Sequence, residues 1–410
     1  MSSSEIMLSI CIPTYNRARY LRVLLADLFS ELKVIPFACE IVICDNASSD
    51  DTKEVVSEWT EKLPINFVVQ KENIGAARNL MDAFSRAQGL FSMYIADDDF
   101  IDSNGLINAV NYFLDRPKAV VLYAPWKLIQ YQNKATSNQF YEIPEDRVFQ
   151  KGDYQGLLIT ILEQHAFPEI CLFRTATYRL LLPSENAISY WAFTIPAEWI
   201  SVGEVIFKKE PFYCASTSYF RDETTTRQQA GNLEVETYWD RYRGGLEHLL
   251  GRAETSLGKE SRKILTAAIN EFIADRMLVA LRIRIANKRN PVESYYLAAR
   301  LKGLGKIEFL PQNYDRIRVA AAQHFITHDA ILLKDKVAIV LVGDFEHSVV
   351  SDMQSNSTLP LHYEATYTRG HANSVLIFSR NLSDHDIELE EEWKSKNTVL
   401  SEEILLTKFS

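Results

Sequence analysis

The chain has 410 residues, of which 47% are apolar and 24% are charged, and its formal net charge at pH 7 is −10. This length accommodates one large α/β domain with an accessory domain, or two or three smaller domains. The negative charge argues against a nucleic-acid partner, because DNA and RNA binding depends on a positive surface field.

Cysteine usage and the N-terminal residues predict a cytoplasmic location. The five cysteines are odd in number and form no Cys-x-x-Cys pair, which indicates reduced, buried thiols. The opening residues Met-Ser-Ser-Ser-Glu lack the basic and apolar regions of a signal peptide. No apolar run approaches the roughly 18 residues that would indicate a membrane-spanning helix.

The first hundred residues alternate between strand and helix patterns. Apolar runs of strand length lie at Met7–Pro13, Glu40–Asp45, Ile65–Gln70 and Leu90–Ala96. Helical periods fill the intervening stretches, at Arg19–Lys33, Thr52–Trp59 and Leu80–Ala87. This order predicts an α/β fold with a mostly parallel sheet and helices on both of its faces.

A polar cluster follows each of the four predicted strands. The clusters are Thr14–Arg17, Asp45–Asn46, Asn73–Arg78 and Asp97–Asp99. Ligands of parallel sheets bind outside the carboxyl ends of the strands, so these clusters predict a single binding edge. The chain has no Gly-x-Gly-x-x-Gly after the first strand and no Gly-x-x-x-x-Gly-Lys, which argues against a dinucleotide fold and a P-loop.

Three consecutive carboxylates, Asp97, Asp98 and Asp99, close the fourth strand. Two such charges ~4 Å apart repel by about 4 kcal/mol at a surface-like dielectric, and a divalent cation relieves that repulsion. Mg²⁺ in particular is usually held by one or two carboxylates together with substrate phosphates. The alternative interpretation is an acidic turn before a helix, with Asp102 as the N-cap.

Four motifs in this order resemble the family 2 glycosyltransferases, which have the GT-A fold. They are Ser9-Ile-Cys-Ile-Pro-Thr-Tyr-Asn-Arg17, Ile41-Val-Ile-Cys-Asp-Asn-Ala-Ser-Ser-Asp50, Asn73-Ile-Gly-Ala-Ala-Arg-Asn79 and Tyr94-Ile-Ala-Asp-Asp-Asp99. The resemblance implies inverting transfer of a sugar from a nucleotide diphosphate, assisted by Mg²⁺ or Mn²⁺.

The resemblance also implies roles for individual residues on the donor side. Side chains of the first and second strand ends would bind the nucleotide sugar, with Asp45 accepting the base N–H and Arg78 facing the base or phosphates. The implied nucleotide-sugar set is Pro13, Thr14, Tyr15, Arg17, Asp45, Asn46, Arg78 and Asp97. Asp98 and Asp99 are the implied metal ligands. Many members have Asp-x-Asp-Asp where this chain has Ala96 before its three aspartates, which leaves open which of them ligates the metal.

An inverting transfer needs a general base on the acceptor side. Family members carry an acid on the helix before a Gly-x-Val-x-aromatic strand, which implies Glu198, with Glu185 as the second candidate. A solvated helix position is the alternative for Glu198. Two further sets of residues have both a functional and a structural interpretation. Arg221 and Arg227 are either ligands of the diphosphate or parts of a solvated linker. Tyr190, Trp191 and Trp199 either stack on sugar rings or belong to the core.

The sequence pattern divides the chain into a catalytic domain and two further segments. We predict a catalytic domain at 1–228, with a nucleotide-sugar half at about 1–125 and an acceptor half at about 126–228. A helical extension at 229–330 and a small α/β module at 331–410 follow. Within the extension, residues 276–289 mix Arg and Lys with apolar residues, which fits either peripheral contact with the inner face of the cell membrane or a packed helix.

The expected function is therefore transfer of a UDP-, GDP- or dTDP-linked sugar to a glycan or lipid-linked acceptor in bacterial surface polysaccharide synthesis. Two alternatives stay open. One is a nucleotidyltransferase acting on a sugar phosphate, which usually needs a Gly-rich basic loop after the first strand. The other is a scaffold that binds glycan without transfer. A homo-oligomer is a further open expectation.

Overall fold

A computed structural model describes residues 6–130, 136–181, 186–218, 235–253, 258–366, 371–379 and 397–410. Its largest feature is an eight-stranded sheet. From one edge to the other the strands are β3 (Ile65–Val69), β2 (Cys39–Asp45), β1 (Leu8–Thr14), β4 (Phe91–Tyr94), β10 (Cys171–Arg174), β6 (Ala119–Tyr123), β11 (Glu204–Phe207) and β9 (Arg147–Phe149).

The first four strands confirm the predicted parallel arrangement. β1 pairs in parallel with β2 and β4, and β2 pairs in parallel with β3. Strands covered on both faces are apolar along their whole length, and Leu8, Ile10, Cys11 and Ile12 of β1 are fully buried. The helices that follow these strands are α1 (Ala18–Glu31), α2 (Thr52–Ser57), α3 (Ala76–Arg86) and α4 (Ser103–Leu114).

The second half of the sheet departs from the parallel pattern. β10 lies antiparallel between β4 and β6, and β9 is antiparallel to β11, whereas β11 is parallel to β6. Because β10 is reversed, the residues before it reach the sheet at the edge where β4 ends. The mixed sheet therefore combines strand ends and strand starts at one edge.

The stretch 127–150 is polar and aromatic without a clear period, which predicts either a loop or a hairpin, and it contributes two strands to a second sheet. Its order is β5 (Phe100–Ile101), β12 (Tyr213–Ser218), β7 (Lys127–Gln130) and β8 (Thr136–Gln139). β7 and β8 pair antiparallel, which confirms the hairpin. Because β5 directly follows the Asp triplet, its pairing with β12 brings residues near 213 to the functional edge.

The helices of the acceptor half and of the following stretch are α5 (Tyr154–Glu163), α6 (Thr175–Leu181), α7 (Trp191–Val202), α8 (Trp239–Arg252) and α9 (Lys259–Ala286). All five cysteines are free thiols, as predicted. Burial raises the pKa of Cys39 and that of Cys44 to about 12, which makes these thiols poor nucleophiles at neutral pH.

The compact units of the chain differ from the predicted domains. One unit comprises 1–233 with 238–273, and the other comprises 234–237 with 274–410. Residues 238–273, expected in a separate helical extension, thus belong to the unit that holds the large sheet. The boundary falls inside α9, where no composition change marks it.

The second unit contains the predicted C-terminal α/β module. Its helices are α10 (Pro291–Gly303), α11 (Tyr314–His328), α12 (His347–Asn356) and α13 (Glu402–Lys408), with a short 3-10 helix at Ile307–Phe309. Its sheet is fully parallel, in the order β14 (Leu361–Glu364), β13 (Ile339–Val342), β15 (Val375–Phe378) and β16 (Thr398–Ser401). The acidic stretch at 383–393, for which the sequence predicts a helix, lies outside the described residues.

Two of the basic residues at 276–289 and the apolar residues of this stretch are engaged within the protein, whereas Arg282 and Lys288 are exposed. Arg284 is buried and donates to Glu236 and Glu293, and Arg289 also donates to Glu236. The apolar residues Met277, Leu278, Ala280 and Leu281 are buried. These contacts favour a packed helix over a membrane-binding face. No helix in the described parts of the chain combines the length and the apolar character needed to cross a bilayer.

Glu236→Ala tests the buried ion pair. Removing one partner leaves the Arg284 charge buried without its carboxylate, which typically costs about 3–5 kcal/mol. We expect the free energy of unfolding to fall by that amount in urea denaturation. Glu293→Ala is the matched control, since it removes the other carboxylate that contacts Arg284. The Glu293 side chain is 63% exposed, so its loss should lower the free energy of unfolding by under about 1 kcal/mol. Equal losses in the two variants would contradict the assignment.

Candidate active site

The ends of β1 and β4 are joined by a buried group of charges. Thr14 donates its hydroxyl to Asp97 Oδ2 at 2.8 Å. Arg17 Nη1 lies 3.0 Å from Asp97 Oδ1 and 2.5 Å from Asp98 Oδ2. Asp97 and Asp98 are only 4% and 6% exposed. The residues predicted from two separate motifs therefore meet at the carboxyl edge of the sheet.

Burial and charge pairing shift the pKa values of Arg17 and Asp97 in opposite directions. Burial disfavours the charged guanidinium, yet the charges and hydrogen bonds of Asp97 and Asp98 outweigh that effect and raise the pKa of Arg17. Burial raises the pKa of the Asp97 carboxyl, and the Arg17 charge and the Thr14 hydroxyl act in the opposite direction. Arg17 thus neutralises part of the negative charge of Asp97 and Asp98.

The donor set at this edge fits a hard divalent cation. Asp97 and Asp98 offer adjacent buried carboxylates, and Mg²⁺ usually takes one or two such ligands beside substrate phosphates. Among the described residues no group of three or more His, Cys, Asp or Glu side chains forms a metal cluster, so the protein alone does not form a cage. The metal roles of Asp98 and Asp99 stay predictions.

Asp99 is engaged by β12. Its Oδ2 accepts from the Tyr213 hydroxyl at 2.8 Å and its Oδ1 accepts from the Ser216 backbone N–H at 2.8 Å. The same Tyr213 hydroxyl accepts from the backbone N–H of Ala96 at 3.0 Å. Asp99 therefore fixes the turn after β4 against the second sheet. The next carboxylate, Asp102, accepts from the Gly105 N–H and caps α4, as one interpretation of the sequence expected.

Asp45 carries a buried carboxylate oxygen with no hydrogen-bond donor among the described residues. The residue is fully buried, and its Oδ1 accepts from the backbone N–H and the hydroxyl of Ser48. Its Oδ2 has no partner. A buried acceptor without a donor costs free energy, so such an atom points to a ligand N–H. This is the chemistry predicted for the residue that accepts from a base.

The loops around Asp45 are tied together by side-chain amides. Asn46 donates to Asn73 Oδ1 at 2.9 Å and accepts from the Ile74 N–H at 2.8 Å, which joins the loops after β2 and β3. Asn16, at φ 52°, accepts from the Ser49 N–H at 2.8 Å and joins the loops after β1 and β2. Asn46 thus holds the edge together, and its predicted contact with nucleotide stays a prediction.

The remaining predicted donor residues lie at the same edge with their surfaces available. Tyr15 is 44% exposed and Pro13 is half-buried at the end of β1. Arg78 is exposed in the first turn of α3, just after Gly75 turns the chain with φ +90°. Their contacts with nucleotide or phosphate stay predictions.

The predicted acceptor-side residues have mixed outcomes. Glu198, 34% exposed, accepts from Arg252 at 3.1 Å and lies 3.3 Å from His248 Nε2, so α8 already occupies its carboxylate. Trp199 is 1% exposed and packs on Phe173, which confirms the core interpretation. Glu185, Arg221 and Arg227 lie outside the described residues.

The structure adds a residue that the sequence reasoning missed. Glu169 precedes β10, and its Oε1 accepts from the Tyr190 hydroxyl at 3.2 Å. Burial raises the pKa of Tyr94, and the charges of Glu169 and of all three aspartates in the triplet raise it further. Tyr94 therefore lies in the field of both Glu169 and the Asp triplet. The sequence signal was limited to an acid before a predicted strand, with no sign of the strand's direction.

Parts of the chain are similar to known proteins. Residues 9–182 match the family model described as Glycosyl transferase family 2. Abequosyltransferase RfbV of Salmonella typhimurium is 35% identical over 102 residues, which cover 24% of this chain and 30% of the relative. The chain thus spans less than a third of that relative's length.

Two further similarities extend over more of the chain. An uncharacterised glycosyltransferase of Rickettsia prowazekii, RP339, is 24% identical over 303 residues, which cover 71% of this chain and 83% of the relative. A crystal structure of S. aureus TarS 1–349 in complex with UDP aligns at 16% identity with a TM-score of 0.48, and the alignment covers 78% of this chain and 85% of that one.

Tyr213→Phe tests how the Asp triplet is positioned. The variant leaves a buried carboxylate oxygen of Asp99 and the Ala96 N–H without their shared partner, so we expect the free energy of unfolding to fall by about 1–3 kcal/mol. Chemical denaturation measures it. Tyr15→Phe, at an exposed tyrosine near the same edge, is the matched control and should stay within about 0.5 kcal/mol of wild type. A Tyr213→Phe protein as stable as this control would contradict the role assigned to the hydroxyl.

Proposed function

Because residues 9–182 belong to glycosyltransferase family 2, we propose that this chain transfers a sugar from a nucleotide diphosphate to a glycan or lipid-linked acceptor, with inversion at the anomeric carbon. The observation that carries the proposal is the arrangement at the carboxyl edge of the sheet. Asp45, with its unpartnered buried oxygen, ends β2. Beside it, at the end of the neighbouring strand β1, Arg17 pairs with Asp97 and Asp98. That edge offers an acceptor for a base and a charged site for a diphosphate.

The proposed binding mode assigns the base to Asp45 and the sugar diphosphate to the neighbouring strand ends. Tyr15 and Pro13 line the nucleoside side, and Arg78 faces the base or phosphates. Asp97 takes the ribose side of the donor. Asp98, supported by its neighbours, would hold Mg²⁺ or Mn²⁺, which would offset the negative charge that develops on the leaving diphosphate.

The proposed chemistry is an in-line displacement. The acceptor hydroxyl loses its proton to a carboxylate of the acceptor half and attacks the anomeric carbon from the face opposite the diphosphate. Arg17 and the strand-end donors orient the leaving group, and such positioning accounts for much of the barrier reduction in transfer reactions. The relative named as an abequosyltransferase supports sugar transfer as the reaction, and surface polysaccharide synthesis is the proposed setting.

Asp45→Asn tests the nucleotide pocket. The substitution keeps the shape of the side chain but places an amide N–H₂ at an acceptor position, so it should weaken nucleoside diphosphate binding by about 1.5–3 kcal/mol. Titration calorimetry with UDP, GDP and dTDP measures the change. Asp51→Asn is the matched control, since Asp51 is exposed and its side chain makes no capping bond. Full affinity in Asp45→Asn would limit Asp45 to a local structural role.

Asp98→Asn tests both the metal assignment and the reaction class. Wild type should release nucleoside diphosphate from one of a panel of UDP-, GDP- and dTDP-linked sugars when Mn²⁺ is present, and the variant should lose this activity by orders of magnitude. Its melting temperature is measured alongside, because the substitution also weakens the buried pair with Arg17. A variant that retains wild-type activity would contradict the metal role.

The same panel separates the rival functions. A glycan-binding scaffold would be silent on every donor in wild-type form. A nucleotidyltransferase would instead consume a nucleoside triphosphate and a sugar phosphate and release pyrophosphate. Either result would replace the proposed function.

A further inference from the structure

We infer that His324 and His328, at the C-terminal end of α11, form a two-imidazole binding site for Zn²⁺ or another divalent transition ion, and that Thr327 positions the His328 ring. All three residues belong to the second compact unit, which comprises 234–237 with 274–410. The proposed sugar transfer assigns no residue to this unit, so the inference stands apart from that function.

The first argument is the spacing of the two histidines on one helix. α11 spans Tyr314–His328, and helical residues four apart lie on the same face with Cβ atoms about 5–6 Å apart. The same spacing brings together the two histidine ligands of helical zinc sites. His324 is half-buried and His328 is exposed, so an ion in solvent has access to the pair. The C-terminal end of a helix also favours positive charge.

The second argument is the geometry of the two rings. Their centroids lie 4.2 Å apart and their planes differ by only 12°. A tetrahedral Zn²⁺ with two Zn–N bonds holds the two nitrogens about 3.4 Å apart, because each bond is about 2.0–2.1 Å long. Stacked rings at this distance need only a small rotation of their side chains to bring one nitrogen of each ring to that separation.

The third argument is the hydrogen bond that orients His328. The Thr327 hydroxyl donates to the Gln323 carbonyl at 2.8 Å and lies 2.7 Å from His328 Nδ1. Because a carbonyl oxygen can only accept, the single hydroxyl proton is used there, and the hydroxyl oxygen accepts from Nδ1–H. His328 Nε2 then carries the lone pair that binds a metal. Metal-bound histidines almost always donate their other ring N–H to such a partner.

The position of Thr327 is itself fixed by the fold. The residue is buried, and its backbone carbonyl accepts from both the hydroxyl of Thr358 at 2.7 Å and the Thr358 backbone N–H at 3.2 Å. These bonds connect the end of α11 to the segment before β14. The hydroxyl that orients His328 is therefore held in place without a metal, and the ring is oriented before an ion binds.

The ligand set also indicates the class of ion. Among the described residues no group of three or more His, Cys, Asp or Glu side chains could hold a metal, so the protein supplies two ligands here and water completes the coordination. Imidazole nitrogens suit Zn²⁺, Ni²⁺ and Cu²⁺, whereas Mg²⁺ prefers oxygen ligands. The site therefore differs in chemistry from the carboxylate edge of the large sheet.

The test is titration calorimetry of the full chain with ZnCl₂ and, in parallel, with MgCl₂. It is made at about pH 7.5, where free imidazole is largely neutral and able to bind a metal. The variants are His328→Ala, at an exposed position, together with His324→Ala and Thr327→Val. His347→Ala removes another exposed histidine of the same unit and is the matched control. Melting temperatures without metal report whether each variant is folded.

We expect wild type to bind one equivalent of Zn²⁺ that His328→Ala and His324→Ala bind about 100-fold more weakly, the low end of the gain from a second linked ligand. Thr327→Val keeps both imidazoles and should lose about 10-fold, as is usual for partners that orient a metal ligand. His347→Ala should bind Zn²⁺ as wild type does. MgCl₂ should give no signal that depends on His324 or His328.

Three outcomes would overturn the inference. One is a His328→Ala protein that binds Zn²⁺ with the wild-type stoichiometry and affinity, since the ion would then be bound elsewhere. Another is a loss in His328→Ala that His324→Ala does not share, which would mean that the two rings do not act together. The third is an equal loss in His347→Ala, which would indicate nonspecific binding to surface histidines. Full Zn²⁺ affinity in Thr327→Val would refute the positioning role of its hydroxyl.

Discussion

The pairing of Arg17 with Asp97 and Asp98 is the constraint on which the site depends. Two adjacent carboxylates at the buried end of β4 would repel each other without a cation, and the guanidinium after β1 provides one. The ion pair fixes the loop after β1 against the turn after β4. It also sets a positive group beside two negative ones at the carboxyl edge of the sheet.

Two kinds of support hold this charged edge in place. Within the first half of the sheet, Asn16 and Asn46 connect neighbouring loops through backbone N–H groups. From outside that half, Tyr213 bonds to Asp99 and to the Ala96 backbone. Local amide bonds shape the loops after β1, β2 and β3, and a strand of the second sheet orients the triplet. A third element, the reversed strand β10, brings the residues before it to the same edge.

Two basic side chains in the stretch 276–289 form ion pairs within the protein. The stretch at 276–289 has the composition of a membrane-binding helix, but Arg284 and Arg289 converge on Glu236 in the same compact unit. Composition alone does not distinguish a membrane-binding helix from a packed one, because a snorkelling arginine and an internally paired arginine have the same local sequence. The burial of both Arg284 and Glu236 identifies the internal pair.

Much of the first half of the sheet was predictable from the sequence. The prediction included four strands, a polar cluster after each strand, and the position of Thr14, Arg17, Asp45 and Asp97 at one edge. The reason is physical: strand patterns are local, and a parallel sheet brings its carboxyl ends together wherever such strands occur. Tertiary structure alone decided the bonding of Asp99 to Tyr213, 114 residues away, and the position of the chain before β10 beside the chain after β4. The direction of β10 follows from how the chain returns to the sheet. An apolar run of four residues reads the same in either direction, so only the pairing with β4 and β6 could determine it.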